Sequence, residues 1–454
     1  MSALDTYLSE HQGRFLDNLK AALRIPSVSS QSEHNADVRR CAEHIAAHLK
    51  KIGMTRAEVM DTPGHPVVYA EWLGAPGKPT VLLYGHYDVQ PVEPLELWKT
   101  PPFEPTEKDG KLYARGACDD KGQVYMHLSA IEAHLAVNKK LPINMKLVIE
   151  GEEEAGSESL EGFLVGHRKM LDADVIVVSD TGMLSPDQPA LTYALRGILY
   201  TQIEVTGPTR DLHSGEFGGS VMNPANALAG IIAGLRDADG HITVPGFYDR
   251  VRELSATEQT AMNAVPFDEK GFIAETGAPM AFGEKGRSTL ERIWSRPTLD
   301  VNGMWSGYTG EGSKTVLPSV AAAKVSMRLV PDQDPIALFA AFEKHVRALA
   351  PKAVTVKVVN MHAAEPWITS PDSPMLQAAI RALGRAWTKR PALIREGGSI
   401  PVMATFAKTH GLPCVLMGFG LHDDQLHAPN EKFSLTSFHG GTRSCAYLYE
   451  EVGK

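Results

Sequence analysis

Hydrophobic positions recur at helical spacing through residues 1–50, which predicts two amphipathic helices. In the second, Val38, Cys41, Ala42, Ile45 and Leu49 fall on one face. The period then shortens. His65 to Leu73 and Thr80 to Tyr84 are rich in β-formers, and the latter run carries no charge, as expected of a strand buried on both faces. A helix is predicted from Lys121 to Val137, a strand from Ile143 to Ile149, a helix from Ser159 to Leu171 and a strand from Ala173 to Ser179. Strands alternating with helices predict an α/β layer around a largely parallel sheet.

After Leu191 the texture changes. Leu199 to Thr206 alternates as a strand with one exposed face does. Pro224 to Leu235 reads as a helix, Ala322 to Val330 as a strand, Pro335 to Leu349 as a helix and Ala353 to Val359 as a strand. Such an order is typical of a small antiparallel α+β module of the ferredoxin-like kind. From Ser373 the buried style returns, with a helix to Trp387, a strand at Pro413–Met417 and a C-terminal helix. The expected organisation is an α/β domain formed by residues 1–189 and 366–454, with residues 190–365 inserted as an α+β domain. No internal repeat or low-complexity tract interrupts it.

Composition narrows the class. Of 454 residues, 43% are hydrophobic and 22% charged, which fits a globular chain and excludes a disordered or fibrous one. Lys and Arg number 45 against 54 Asp and Glu, and no long basic run offsets the net charge of −9, so no nucleic-acid partner is expected. Apolar runs such as Val175–Val178 are too short to span a bilayer, and the N-terminal residues show no secretory pattern. The four cysteines, Cys41, Cys118, Cys414 and Cys445, form no CxxC pair. A cytoplasmic enzyme without membrane association is the expectation.

Candidate chemistry gathers where strands are predicted to end. His86 and Asp88 follow the uncharged strand two residues apart, on the same side if the strand continues. They could be a metal ligand with its orienting carboxylate, or a strand-end His bonded to its neighbour. Asp119-Asp120 precedes a helix, where N-caps are equally at home. Glu150, Glu152, Glu153 and Glu154 crowd four carboxylates into five positions, either around cations or in a solvated acidic turn. Asp180 ends another apolar strand, and Gly418–Glu431 holds His422, Asp423, Asp424, His427 and Glu431. Carboxylates with a few imidazoles and no thiolates suit a catalytic divalent metal centre, with Zn²⁺ the usual ion and Mn²⁺ or Co²⁺ acceptable.

His86-Tyr87-Asp88, Asp119-Asp120-Lys121-Gly122, Gly151-Glu152-Glu153-Glu154-Ala155-Gly156-Ser157 and His427-Ala428-Pro429-Asn430-Glu431 stand in a family's order and spacing. Over essentially its whole length the chain resembles the dinuclear zinc metallopeptidases. That family includes carnosinase-type dipeptidases, aminoacylases, succinyl-diaminopimelate desuccinylases and carboxypeptidase G. Further segments resemble most nearly the cytosolic nonspecific dipeptidase branch: Trp98 with Pro102-Phe103, Leu212–Gly215, Lys314–Val316, Arg328–Pro331 and Arg395–Pro401.

The resemblance implies two divalent metal ions bridged by Asp119. His86 and Asp180 would complete one site, Glu154 and His427 the other. Asp88 would orient His86, Glu153 would be the general base, and the Asp119–Asp120 peptide would be cis. Both flanks of the glutamate run give Glu153 as base and Glu154 as ligand; the frame shifted by one residue is the alternative. The inserted domain would be a lid and dimerisation domain of a homodimer. Its His213 would reach the opposite subunit's site, and Thr315 and Arg328 would hold the substrate's free carboxylate. Ser399 would be a substrate contact from the catalytic domain. From spacing alone, His213 reads as a surface histidine and the Gly-Gly-Ser loop as an ordinary turn.

The implied reaction is peptide-bond hydrolysis in a dipeptide or similar small substrate with a free carboxylate. Hydrolysis of N-acyl amino acids is the alternative at the same centre, and a binding protein that lost catalysis is a third class. Other patterns read as structural: no phosphate-loop, GxGxxG or GxSxG motif fits, His44 and His48 read as helix surface, and Met304, Trp305 and Tyr308 read as packing residues.

Overall fold

The computed structural model describes residues 2–398 and 400–454, which group into two compact units. One comprises the chain up to Tyr193 with Thr369–Ile394 and Thr405–Lys454; the other comprises Ala194–Ile368 with Arg395–Ala404. Segment 395–404, expected in the α/β domain, thus groups with the insert. Arg395 ion-pairs with Glu258, and Nε of Arg196 donates to the carbonyl of Gly397 at 3.0 Å.

The first unit is built on a mixed sheet whose strands lie in the order Arg56–Met60, Val67–Trp72, Asn144–Glu150, Thr80–His86, Val175–Val178, Cys414–Leu416, Ala190–Leu195. The four strands from Asn144–Glu150 to Cys414–Leu416 are mutually parallel and the flanking pairs antiparallel. From Thr80–His86 the chain goes to Asn144–Glu150 on one side, then crosses to Val175–Val178 on the other. Register sets His86 opposite Glu150 and Tyr84 opposite Val178, so three parallel strands end side by side. Loops diverging at such a reversal leave a crevice at the carboxyl ends.

Helices cover the sheet. Val38, Cys41, Ala42, Ile45 and Leu49 of helix Asn35–Ile52 are fully buried, and the helix stops at Gly53, whose φ of 106° suits glycine at a C-cap. The N-terminal region holds three helices, not the expected two, because the chain breaks at His11 between Ala3–Glu10 and Gln12–Leu23. His48 is not on the surface: it is buried with its ring 5.5 Å from that of Tyr125, and burial pushes its imidazole down to about 4. Helix Lys121–Asn138 has no separate polar face and is buried through most of its length, with Lys121, Gln123, His127, Ser129 and His134 among its buried residues. No described helix is long and apolar enough to cross a membrane.

The second unit carries an antiparallel sheet in the order Thr298–Ser306, Val320–Leu329, Gly197–Thr206, Thr355–Ala364. Burial alternates residue by residue along Gly197–Thr206. Its inward side, Leu199, Ile203 and Val205, joins Leu228 and Ile231 of helix Pro224–Gly234 and Phe342 and Val346 of helix Pro335–Leu349 in one core. Strand Thr298–Ser306 escaped the sequence reading because it is an edge strand with most residues exposed. Met304, Trp305 and the following Tyr308 are 48%, 46% and 46% exposed, so they are not core packing.

Helix Lys121–Asn138 starts under tight constraint. A Cβ at Gly122 would stand 1.9 Å from the carbonyl oxygen of Ala117 and 2.8 Å from the Phe433 ring. Backbone cannot yield as a flexible side chain would, so Gly122→Ala is expected to cost about 2 kcal/mol of folding stability. Urea denaturation checks this, and an unchanged midpoint would show that the turn has slack.

Candidate metal centre

The carboxyl ends of the three adjacent strands supply His86, the 151–156 turn and Asp180; the 115–119 turn and the 421–431 loop supply Asp119 and His427. Two clusters result: His86, Asp119 and Asp180, and Asp119, Glu154 and His427. Within each, the donor atoms lie within 4.8 Å of one another. Asp119 belongs to both. Its Oδ1 is 3.1 Å from Nε2 of His86 and its Oδ2 is 3.0 Å from Nε2 of His427, while Oε2 of Glu154 is 3.3 Å from the latter nitrogen. The peptide between Asp119 and Asp120 is cis, as the resemblance implies.

Neighbours aim these groups. Nδ1 of His86 lies 3.1 Å from the carbonyl and 3.4 Å from the carboxylate of Asp88, which leaves Nε2 for the centre. The same carboxylate accepts the Ser29 hydroxyl at 2.6 Å and the backbone N–H groups of Glu153 and Glu154 at 3.2 and 3.0 Å. Asp88 therefore fixes the glutamate turn as well as the imidazole, which the motif alone does not reveal. Asp120 stands at the N-cap position, yet its side chain makes no cap bond; its Oδ2 accepts the N–H of His86 at 3.2 Å.

The acidic run divides its labour. Glu150 is buried and accepts the Tyr84 hydroxyl and, at 3.0 Å, the Ser157 hydroxyl; burial pushes its carboxyl up to about 8. Glu152 accepts the N–H groups of His65 (2.9 Å) and Ser159 (3.2 Å). Glu154 joins His427 and also accepts Nε2 of Gln90 at 2.7 Å. Glu153 lies beside it, outside both clusters.

Electrostatics favour a cation here. Burial and then the charges of Asp120 and Asp119 hold the Asp180 carboxyl well above the usual range. Burial, with Glu154, Asp119 and Asp88 outweighing the opposing His86, pushes Glu153 up to about 7. His427 is pushed up to about 10 by its hydrogen bonds with Asp119 and Glu154. For Asp119 burial raises the carboxyl, but hydrogen bonds with His427 and His86 win and hold it low. The upward shifts at Asp180 and Glu153 reflect carboxylates crowded out of water, a charge that divalent ions would neutralise. Two imidazoles and three carboxylates, arranged as two sets about a shared carboxylate, fit a pair of such ions.

His213, Thr315 and Arg328 lie in the second unit. His213 is exposed and its Nδ1 accepts the N–H of Gly215 at 3.0 Å; the N–H of Ser214 donates to the Thr315 carbonyl at 3.1 Å. Arg328 is half-buried on strand Val320–Leu329. Burial, then the charge of Arg328, pushes Arg196 down to about 10, so a second guanidinium stands near the first. Arg196 escaped the sequence reading; an Arg-Gly pair at a strand start was its only signal. Ser399 lies outside the described residues.

Fold and centre together define a chain of two units with a candidate centre for two divalent ions. Residues 82–451 match the model of peptidase family M20/M25/M40, and the chain belongs to that family. It is 34% identical to the Cys-Gly metallodipeptidase dug1 of Schizosaccharomyces pombe, over 98% of this chain and 96% of that protein. It is 33% identical to the Homo sapiens Beta-Ala-His dipeptidase, over 99% and 92% respectively. Among solved structures, the M20 family metallo-carboxypeptidase Sso-CP2 from Sulfolobus solfataricus superposes with a TM-score of 0.85 at 32% identity, covering 97% of this chain and 99% of that one.

Since Glu154 sits inside a cluster and Glu153 outside, Glu154→Gln is expected to weaken one metal equivalent at least tenfold, whereas Glu153→Gln keeps both. Equilibrium dialysis with elemental analysis reads this directly. The reverse pattern would put the glutamate frame wrong by one residue.

Proposed function

We propose that this chain is a dinuclear metal-dependent dipeptidase that hydrolyses the peptide bond of dipeptides or similar small substrates with a free carboxylate. The carrying observation is Asp119, whose two oxygens face the imidazoles of His86 and His427 separately. His86, Asp119 and Asp180 would hold one ion, and Asp119, Glu154 and His427 the other, with Zn²⁺ first and Mn²⁺ or Co²⁺ as substitutes. Bound there, the ions supply polarisation of the scissile carbonyl and acidification of water. Glu153 accepts the proton of the attacking water and returns it to the departing amine, which its place beside the ligands but outside both clusters supports. Asp88 keeps His86 and the glutamate turn in register for that transfer.

The names of the two curated relatives support dipeptides over N-acyl amino acids as the substrate class. Thr315 and Arg328 would hold the free carboxylate, Ser399 would be a further substrate contact, and His213 would serve the opposite subunit of a homodimer whose inserted domain acts as the lid. All four cysteines are unpaired and buried, which supports a reducing, cytoplasmic setting.

Turnover of a dipeptide panel is expected to vanish after chelator treatment and return with Zn²⁺, Mn²⁺ or Co²⁺, and to exceed turnover of N-acetyl amino acids. Faster cleavage of the acyl amino acids would move the activity to the deacylase class. A second test addresses the shared site. Co-expressed Glu153→Gln and His213→Ala chains form about half hybrid dimers, each with one site carrying both defects and one carrying neither. About a quarter of wild-type activity should return. Activity no higher than the better single variant, with hybrids verified, would confine His213 to its own subunit.

A further inference from the structure

Glu431 is 1% exposed and belongs to neither metal cluster. Its Oε1 accepts the backbone N–H groups of Cys118 (3.0 Å) and Asp119 (3.1 Å). Its Oε2 accepts the N–H of Gly116 (3.0 Å) and Nη1 of Arg115 (2.8 Å). The Glu431 carbonyl in turn accepts the N–H of Ala114 at 3.2 Å. Every contact comes from the short turn that ends in Asp119.

Glu431 also closes the loop that carries His427, four residues earlier. That loop runs against backbone preference: Gln425, His427 and Asn430 have φ of 56°, 60° and 68°, a region that non-glycine residues enter at a cost. Polar anchors hold it there. Asp424 accepts Nζ of Lys432 and the N–H of Leu421, both at 2.7 Å. Asn430 accepts the N–H of Lys99 at 2.7 Å and donates to the Leu97 carbonyl at 2.9 Å.

We propose that Glu431 is a positioning residue that clamps the Asp119 turn to the His427 loop, so that the shared carboxylate and the second imidazole stand at the right separation for metal. The inference rests on the metal-centre reading above. Pairing with Arg115 alone would use one of four contacts and would not explain why two of the others are amides at and beside Asp119. Four donors also demand a carboxylate. A glutamine in its place has one acceptor oxygen and turns an NH₂ group towards two of the donors, keeping the shape while reversing half of the hydrogen bonding.

The test uses full-length wild-type, Glu431→Gln and Glu431→Asp proteins with Co²⁺ as probe. Affinity is read by chelator competition, ligand geometry by the visible absorption of bound Co²⁺, and folding by near-ultraviolet circular dichroism. Folded Glu431→Gln is expected to bind Co²⁺ 10- to 100-fold more weakly, the usual loss when a group supporting a metal ligand is removed, and to show an altered spectrum. Glu431→Asp, which keeps the charge but shortens the reach, should recover part of the affinity. A merely structural residue would lower the unfolding temperature yet leave the folded protein's affinity and spectrum at wild-type values, and that result overturns the proposal. Should Glu431→Gln not fold, Glu431→Asp decides alone: weaker binding than wild type supports the clamp, and equal binding sinks it. Failure of the wild-type chain itself to take up Co²⁺ would overturn the metal-centre reading instead.

Discussion

Asp119 offers one carboxylate oxygen to each of two imidazoles, and both candidate metal sites share it. A side chain used twice leaves no independent adjustment: rotating it to improve one site spoils the other. Its backbone must therefore be fixed from several directions. Helix Lys121–Asn138 begins two residues after it, at a point where only glycine fits at position 122. Lys121, fully buried, donates to the carbonyls of Ala22 and Ile25 at 3.2 and 2.8 Å, tying this helix start to the end of helix Gln12–Leu23. These two helices thus hold one turn still as well as adding to the core.

Concentrating acids at such a point is unfavourable before any cation arrives. Asp119, Asp120, Asp180, Glu153 and Glu154 repel one another, and burial denies them water. The fold limits the cost by diverting other carboxylates to backbone and hydroxyl donors. Asp88 takes two amides and a hydroxyl, Glu150 two hydroxyls and Glu152 two amides. What looks in sequence like one acidic patch is two structural acids followed by two that face the centre.

That division marks the boundary of what the sequence discloses. Helix Asn35–Ile52 and strand Thr80–His86 were legible because their burial is periodic or complete, and periodicity is local. The grouping of His86, Asp119, Glu154, Asp180 and His427 was legible only through motif order, since nothing local brings residue 119 to residue 427. Contacts made by the Glu431 and Asp88 carboxylates to distant amides, and by Arg196 to the Gly397 carbonyl, leave no trace in composition or spacing; they depend on where loops end in space. His48 misled because of its polarity alone: it stands three residues after Ile45 and seven after Cys41, on the buried face, with the Tyr125 ring beside it. Strand Thr298–Ser306 misled for the opposite reason: its apolar residues suggested a core, while its edge position left them exposed.

The same distinction bears on which residues tolerate change. In the alternating strand Gly197–Thr206 the inward Leu199, Ile203 and Val205 need only volume and apolarity, and exchanges among aliphatic residues conserve both. Around Asp119 the requirement is for particular donors at particular separations, and no substitution conserves that. Glutamine for Glu431 preserves size, and lysine for Arg115 preserves charge, yet Arg115 donates from Nη1 to Glu431 at 2.8 Å and from Nη2 to the Pro91 carbonyl at 2.9 Å, and the planar two-nitrogen fork that spans these acceptors has no counterpart in the single nitrogen of a shorter lysine. Volume can be supplied by many side chains, whereas a directed pair of hydrogen bonds is supplied by one. The centre therefore constrains residues well outside its ligand set, and does so through geometry that neither hydrophobic pattern nor charge records.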